Sequence, residues 1–204
     1  MKKKKKRVLV IVAHPDDETI WMGGTIIKNT VIKKNWKLTI LCLCRKHDKD
    51  RAPRFKKVCK FYKAKCKISD LEDEHLGNKE IPEAIKRIKK YAKKKYDIIF
   101  THNKNGEYGH IRHIDAHYAV KRLLKEQRLI AKKVLFFSYK KFSKKNTDTG
   151  FNSYAYKSAD KFIKLKRNEI LLKKKMITKI YSFPVNSFEE RNASIFEAFE
   201  KYKK

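Results

Sequence analysis

Residues 7–25 read RVLVIVAHPDDETIWMGGT, and their interpretation decides the fold. Val8 to Ala13 is an unbroken apolar, largely β-branched run, the pattern of a strand buried on both faces of a parallel sheet. It ends in His14-Pro15-Asp16-Asp17-Glu18, one imidazole and three carboxylates, and Gly23-Gly24-Thr25 then opens a helical pattern. Carboxylates favour a helix N-terminus, but a cap needs only one of them. The other reading is a metal site, in which a histidine and a carboxylate three residues apart turn to one point and leave the neighbouring carboxylate free to act on water. The carboxyl end of a first strand is also where an open α/β sheet keeps its ligand.

Strand and helix alternate from there. Helical spacing covers Thr25 to Lys33, Phe55 to Tyr62 and Ile81 to Tyr91, and strands are expected at Leu38 to Cys44, Ala64 to Ile68, Asp97 to Phe100 and Val134 to Ser138. This order predicts an α/β, Rossmann-like, mostly parallel sheet with right-handed crossovers and helices on both faces. The length suits a single domain over residues 1–204, with a basic, flexible start at residues 1–6. Arg45 to Pro53 is expected as a loop above the site, with Arg51 and Arg54 able to reach an anionic or hydroxyl-rich ligand. Asp70 to Glu74 is the one acidic cluster of a basic chain and is read as local charge balance. Residues 140–158 suggest a flap or an ordered edge. Ala159 to Lys173 and Phe188 to Tyr202 read as basic amphipathic helices.

Composition narrows the class. Lys and Arg number 54 against 22 Asp and Glu, a net charge of +32 spread along the whole length. Such a surface attracts polyanions and anionic membranes without specificity, and no nucleic-acid motif accompanies it. The lysines before Val8 imitate a signal peptide, but the apolar run behind them is too short, and no stretch of about 18 apolar residues could span a membrane. Cys42, Cys44, Cys59 and Cys66 lack paired zinc spacing and read as reduced core thiols, which fits a cytoplasmic chain.

A second cluster follows the strand at Asp97 to Phe100. Thr101 to His117 reads THNKNGEYGHIRHIDAH and holds His102, His110, His113 and His117, four of the seven histidines. His110 and His113 are three apart and His113 and His117 four apart, so either pair could share a face. A catalytic zinc takes three protein ligands and keeps a position for water. His14 and Asp17 with one of these histidines would complete the set if the two loops meet where strand order reverses.

Ala13-His14-Pro15-Asp16-Asp17-Glu18 with Gly23-Gly24-Thr25, followed by Gly109-His110-Ile111-Arg112-His113, resembles the LmbE-like (PIG-L) zinc N-deacetylases over roughly residues 8–138. The resemblance implies Zn2+ held by His14, Asp17 and His113, with Asp16 as general base. His110 then assists the tetrahedral intermediate or protonates the leaving amine, with Asp16 as the alternative proton donor, and Tyr108 polarises the carbonyl. The implied substrate is an N-acetylglucosamine-type sugar or glycoconjugate. The alternatives are an amidase on another N-acyl or thiol-conjugate substrate, and a non-catalytic cationic binding protein for polyanions; a homo-oligomer is compatible with each. Arg112 stands where many members carry an acid or amide, so the ligand histidines need another orienting group, for which Asp115 is the candidate. Ile180-Tyr181-Ser182-Phe183 keeps at most the serine of the family's C-terminal histidine and Ser-Gln signature.

Overall fold

A computed structural model describes residues 4–75, 77, 79–142 and 152–203. Its main sheet has seven strands in the order β3-β2-β1-β4-β5-β9-β8. β1 (Lys6–Val12), β2 (Trp36–Cys44), β3 (Lys65–Leu71), β4 (Lys95–Thr101) and β5 (Ile130–Phe137) are parallel, whereas β9 (Phe196–Lys201) and β8 (Lys161–Lys164) add antiparallel at one edge. β6 (Tyr139–Phe142) and β7 (Asn152–Ala155) form a separate antiparallel pair.

The apolar run at Val8 is explained by alternation across this sheet. Val8, Val10 and Val12 pack on one face against Ile20, Trp21 and Ile26 of α1 (Asp17–Ile26) and Phe55, Val58 and Cys59 of α2 (Arg51–Phe61). Leu9 and Ile11 enter the opposite core, with Ala84 and Ile88 of α3 (Ile81–Tyr91) and Ala116, Val120 and Leu123 of α5 (Ile111–Lys125). The five β1 side chains from Val8 to Val12 are fully buried, and helices cover both faces as expected. β1 lies between β2 and β4, so the chain leaves it toward one edge and later returns toward the other. This reversal point brings the loops after β1 and β4 together.

Several boundaries differ from expectation. Helix α1 starts at Asp17, not Thr25, and runs on as a π-helical segment over Ile27–Ile32. The loop expected through Pro53 ends at Arg51, the first residue of α2. The two C-terminal helices are shorter: α6 spans Arg167–Lys175 and α7 Phe188–Asn192, while Lys161–Lys164 and Phe196–Lys201 are strands. The open edge of β5 takes up Phe196–Lys201 in an antiparallel register, and that pairing overrides a helix-compatible apolar spacing. Of the segment 140–158, residues 143–151 lie outside the described residues; the rest is β6, β7 and a turn. Cys42, Cys44 and Cys59 are buried free thiols and Cys66 is partly exposed. Among the described residues no helix is long and apolar enough to cross a membrane.

Candidate metal centre and its comparison with known proteins

The two motif loops converge on three donors. His14 Nδ1 lies 3.2 Å from His113 Nε2 and 3.4 Å from Asp17 Oδ2, and His113 Nε2 lies 3.3 Å from Asp17 Oδ1. Zinc bonds of about 2.0–2.1 Å in a tetrahedron impose nearly this separation, about 3.3 Å, on their ligands.

The hydrogen bonds behind each ring decide which nitrogen faces the centre. His14 Nε2 is 3.0 Å from Asp73 Oδ1, which places its proton there and leaves Nδ1 as a lone pair. His113 Nδ1 is 2.7 Å from Glu107 Oε2, which leaves Nε2 as a lone pair. Two imidazole lone pairs and a carboxylate thus face one another with no proton to share, an arrangement that a divalent cation resolves. Without a cation the same field attracts a proton: burial lowers the His14 pKa, but Asp17 and Asp73 outweigh it and raise it to about 10. Asp17 is held well below the ordinary carboxylate range, because the His113 and His102 charges overcome its burial.

The other histidines are committed elsewhere. His102 Nε2 accepts the Ala13 N–H at 3.0 Å and its Nδ1 faces Glu107 Oε2 at 2.7 Å, so no lone pair remains for a metal. His117 Nδ1 bonds the His102 carbonyl at 3.0 Å, and among the described residues His117 joins no cluster of donors near enough to share an ion, which removes the alternative His113/His117 pair. His110 caps α5, its Nδ1 accepting the Arg112 N–H at 3.2 Å; the ring proton is therefore on Nε2. Gly109, at φ +100°, supplies the left-handed turn that delivers His110 to the cap.

Asp16 does not cap α1 with its side chain. Its backbone carbonyl accepts from Thr19 and Ile20, while Oδ2 accepts from Arg51 Nη1 at 2.6 Å. The residue sits at φ 123°, rare for an L side chain, and its N–H donates to Glu18 Oε2 at 3.2 Å. Glu18 is fully buried, bonded by Thr19 and Tyr181 hydroxyls, and burial pushes it to about 7. Asp16 too is raised well above the usual range, first by burial and then by Asp17, with Arg51 pulling the other way.

A cleft of about 220 Å³ opens over the centre, lined by His14, Asp16, Asp17, Arg51, Tyr108 and His110 among others. Tyr108, on the short helix α4 (Gly106–Gly109), packs 5.2 Å from His113 and 5.0 Å from Phe188; burial raises its phenol, which stays protonated. Arg51 stands over the Phe183 ring at 4.3 Å. Arg54, expected beside it, is turned away: it bonds Asp50 Oδ1 and the Tyr181 carbonyl and lies outside this cleft.

Two orienting groups were not read from the sequence. Glu107, fully buried, accepts from both His102 and His113; burial would raise it, but those two rings bring it down to about 2. Asp73, taken as charge balance, orients His14 and is itself gripped by Arg45 at 2.7 Å. The candidate Asp115 is occupied by Arg112 Nη1 and the Glu80 N–H and touches no ligand histidine.

Comparison with known proteins follows this geometry. The family model PIG-L, described as GlcNAc-PI de-N-acetylase, matches residues 9–124. The chain belongs to the PIG-L family. An uncharacterized protein of Acanthamoeba polyphaga mimivirus is 29% identical over 119 residues, 52% of this chain and 52% of that protein, so the match spans about half of each. Among solved structures, N,N'-diacetylchitobiose deacetylase from Pyrococcus horikoshii superposes with TM-score 0.67 at 15% identity, over 97% of this chain and 84% of that one. A zinc-inhibited form of teicoplanin deacetylase gives 0.58 at 12%, over 91% and 90%. GalB, the 4-carboxy-2-hydroxymuconate hydratase from Pseudomonas putida KT2440, gives 0.62 at 13%, over 98% and 97%. Deacetylases and a hydratase therefore share this fold, and the choice of reaction rests on the side chains.

Proposed function

We propose that this PIG-L family member is a zinc-dependent hydrolase that removes the acetyl group from an N-acetylglucosamine-type sugar or glycoconjugate. The observation that carries the reading is the convergence of His14 Nδ1, Asp17 and His113 Nε2 within 3.4 Å of one another, next to a cleft that His14, Asp16 and Asp17 line.

A zinc ion held by these three residues would lower the pKa of a water to about 7 and polarise the acyl carbonyl. Asp16 is the general base. Arg51 fixes its Oδ2, leaving Oδ1 without a hydrogen bond among the described residues, and the raised pKa brings the carboxylate closer to the neutral range in which a base is effective. Tyr108 and His110 Nε2–H are neutral donors for the oxygen that gains charge as the carbonyl carbon becomes tetrahedral, each worth about 3 kcal/mol by analogy with oxyanion-hole donors. His110 is pushed down to about 3 by burial and by the His113 and His14 charges, so it serves as a hydrogen-bond donor more readily than as a charged acid. Asp16, having taken the water proton, returns it to the departing amine.

The test is amine release from N-acetylglucosamine compounds by zinc-loaded protein and by Asp16→Asn. A loss of about 10²- to 10⁴-fold in kcat, with about one zinc per chain retained, supports the assignment. Zinc-loaded protein that releases no amine from acetylated sugars, or Asp16→Asn with undiminished kcat, refutes it; amine release only from a thiol conjugate would favour that substrate class.

A further inference from the structure

Strand β2 carries two thiols at its carboxyl end, and they are placed differently. Cys42 Sγ is engaged by the carbonyls of Ala13, at 3.3 Å, and of Cys44, at 3.4 Å, and belongs to the core that contains Val8, Val10 and Val12. Strict alternation would put Cys44, two residues on, on the same face. The pairing of β2 with β3 shifts register between Cys42 and Cys44, and Cys44 joins Leu43 in the opposite core. Such an irregularity re-aims a side chain, often next to a functional site. Cys44 is fully buried, and its Sγ makes no hydrogen bond among the described residues.

That sulfur lies behind His14. Cys44 Sγ, a His14 ring nitrogen and an Asp73 carboxylate oxygen are within 4.8 Å of one another. The nitrogen turned to Asp73 is Nε2, 3.0 Å from Oδ1, on the opposite edge of the ring from the Nδ1 that faces Asp17 and His113. Arg45 takes Asp73 Oδ2 through Nε at 2.8 Å and Nη2 at 2.7 Å, which holds the carboxylate and leaves Oδ1 as the donor atom. Thiolate, imidazole and carboxylate make three protein donors, a set that a cation completes with one further ligand. A sulfur among them favours a soft or borderline cation over magnesium or calcium. Asp73 lines both the catalytic cleft and a neighbouring open hollow, which gives a hydrated ion a way in.

A neutral imidazole has one lone pair to give. In the centre described above, His14 keeps its proton on Nε2, toward Asp73, and offers Nδ1. A cation on Nε2 drives the proton to Nδ1, where it points at Asp17 Oδ2, 3.4 Å away, and the zinc donors lose a lone pair. The two donor sets share His14 and therefore exclude each other.

We propose that Cys44, His14 Nε2 and Asp73 Oδ1 form a second site, for a soft divalent cation, whose occupation removes His14 from the catalytic donor set; only this last consequence rests on the zinc reading above. On binding, the Cys44 S–H bond is exchanged for a sulfur–metal bond, the thiol proton passes to solvent and no oxidation state changes. Cadmium is the probe. Titrated into metal-free protein, it is expected to raise a thiolate-to-cadmium charge-transfer band that saturates at about one ion per chain, and to give a cadmium NMR resonance downfield of that of a nitrogen-and-oxygen ligand set. Cys44→Ala, with circular dichroism to show that it folds, loses the band, and Cys42→Ala keeps it. Added to zinc-loaded wild type, cadmium releases zinc to a chromophoric chelator as the band grows. Wild type that binds cadmium with neither band nor downfield resonance, or a band undiminished in folded Cys44→Ala, overturns the site and leaves the zinc centre standing. A band that grows to completion while zinc is retained overturns the shared use of His14. Wild type that takes up no zinc yet shows the band overturns the zinc centre and leaves the cysteine site standing.

Discussion

Glu107→Gln is the most informative single change, because it keeps volume and shape while removing the charge that two imidazoles share. Glu107 Oε2 accepts from His102 Nδ1 and His113 Nδ1, each at 2.7 Å, and Oε1 accepts the Asn103 N–H at 2.9 Å. A glutamine can present its one carbonyl oxygen to Asn103 or to the rings, but its amide group then faces a donor. His113 loses a charge-assisted hydrogen bond, worth about 1.5–3 kcal/mol, and with it the bias that keeps its proton on Nδ1 and its lone pair toward Asp17. Orienting partners of metal-bound histidines typically contribute 10- to 100-fold in affinity. Since one carboxylate orients His113 and fixes the ring stacked on it, His102, whose centroid lies 3.9 Å away, the upper end is expected, about 100-fold or about 2.7 kcal/mol. Zinc competition against a chromophoric chelator at constant pH measures this directly, with circular dichroism to show that the variant is folded. A folded Glu107→Gln protein that binds zinc within threefold of wild type would refute the tautomer argument on which the metal centre depends.

Two further outcomes follow from buried charge. Lys173 and Glu197 form an ion pair of 2.9 Å in the core, 1% and 0% exposed; Lys173→Met leaves the Glu197 carboxylate without its counter-charge and is expected to cost about 3–5 kcal/mol, lowering Tm by roughly 6–20 °C, and an unchanged Tm would contradict it. Burial pushes His117 from 6.5 down to about 4, against the hydrogen bond to the His102 carbonyl that favours the charged form. Between about pH 6.5 and pH 4 the unfolded chain binds a proton that the folded chain refuses, so stability is intact above this window and falls as pH drops through it, by at most about 3 kcal/mol. Urea titrations across that range should show a shallower dependence in His117→Gln, and parallel curves would sink the assignment.

How much of this was legible depended on what fixed each feature. The run Val8 to Ala13 announced a doubly buried strand because both of its faces enter cores, and α3 matches its expected limits, Ile81 to Tyr91, because its apolar stripe and polar back are set locally. The meeting of His14 and Asp17 with His113 followed from topology, since ligand loops cluster where β1 separates β2 from β4. Asp73 and Glu107 were another matter. Each was visible as an acid in a basic chain, but its role is defined by a contact 59 residues away in one case and by a positive-φ backbone, φ 60° and ψ −51°, in the other. Neither leaves a periodicity to read. Arg54 shows the converse: with Arg51 it was expected to reach a ligand from the region above the site, yet the helix turns the two guanidinium groups to different partners. At Phe196–Lys201 the apolar spacing fitted a helix, and only the unsatisfied edge of β5 made it a strand.

The C-terminal third also reaches into the motif. Helix α1 is broken at Met22, φ −149° and ψ 18°, one residue after Trp21, whose Nε1 donates to Asp17 Oδ1 at 3.0 Å. A break in a helix frees a carbonyl on one side and N–H groups on the other. The Trp21 carbonyl is taken by Tyr139 Oη at 2.7 Å, and the Gly24 and Thr25 N–H groups by the two oxygens of Glu197, each at 2.8 Å. Gly24 lets Leu165 pack closely there: a Cβ would stand 2.4 Å from a Leu165 methyl group and force that side chain to shift. Tyr139, Leu165 and Glu197 all lie beyond residue 124, where the family match ends. The first turn of α1, which aims Asp17, is therefore free to diverge from the axis of the rest of the helix because strand β9 and the start of β6 satisfy the groups that the kink exposes. A carboxylate is needed at 197 to serve two donors at once, and Lys173 is what makes that carboxylate tolerable in the core.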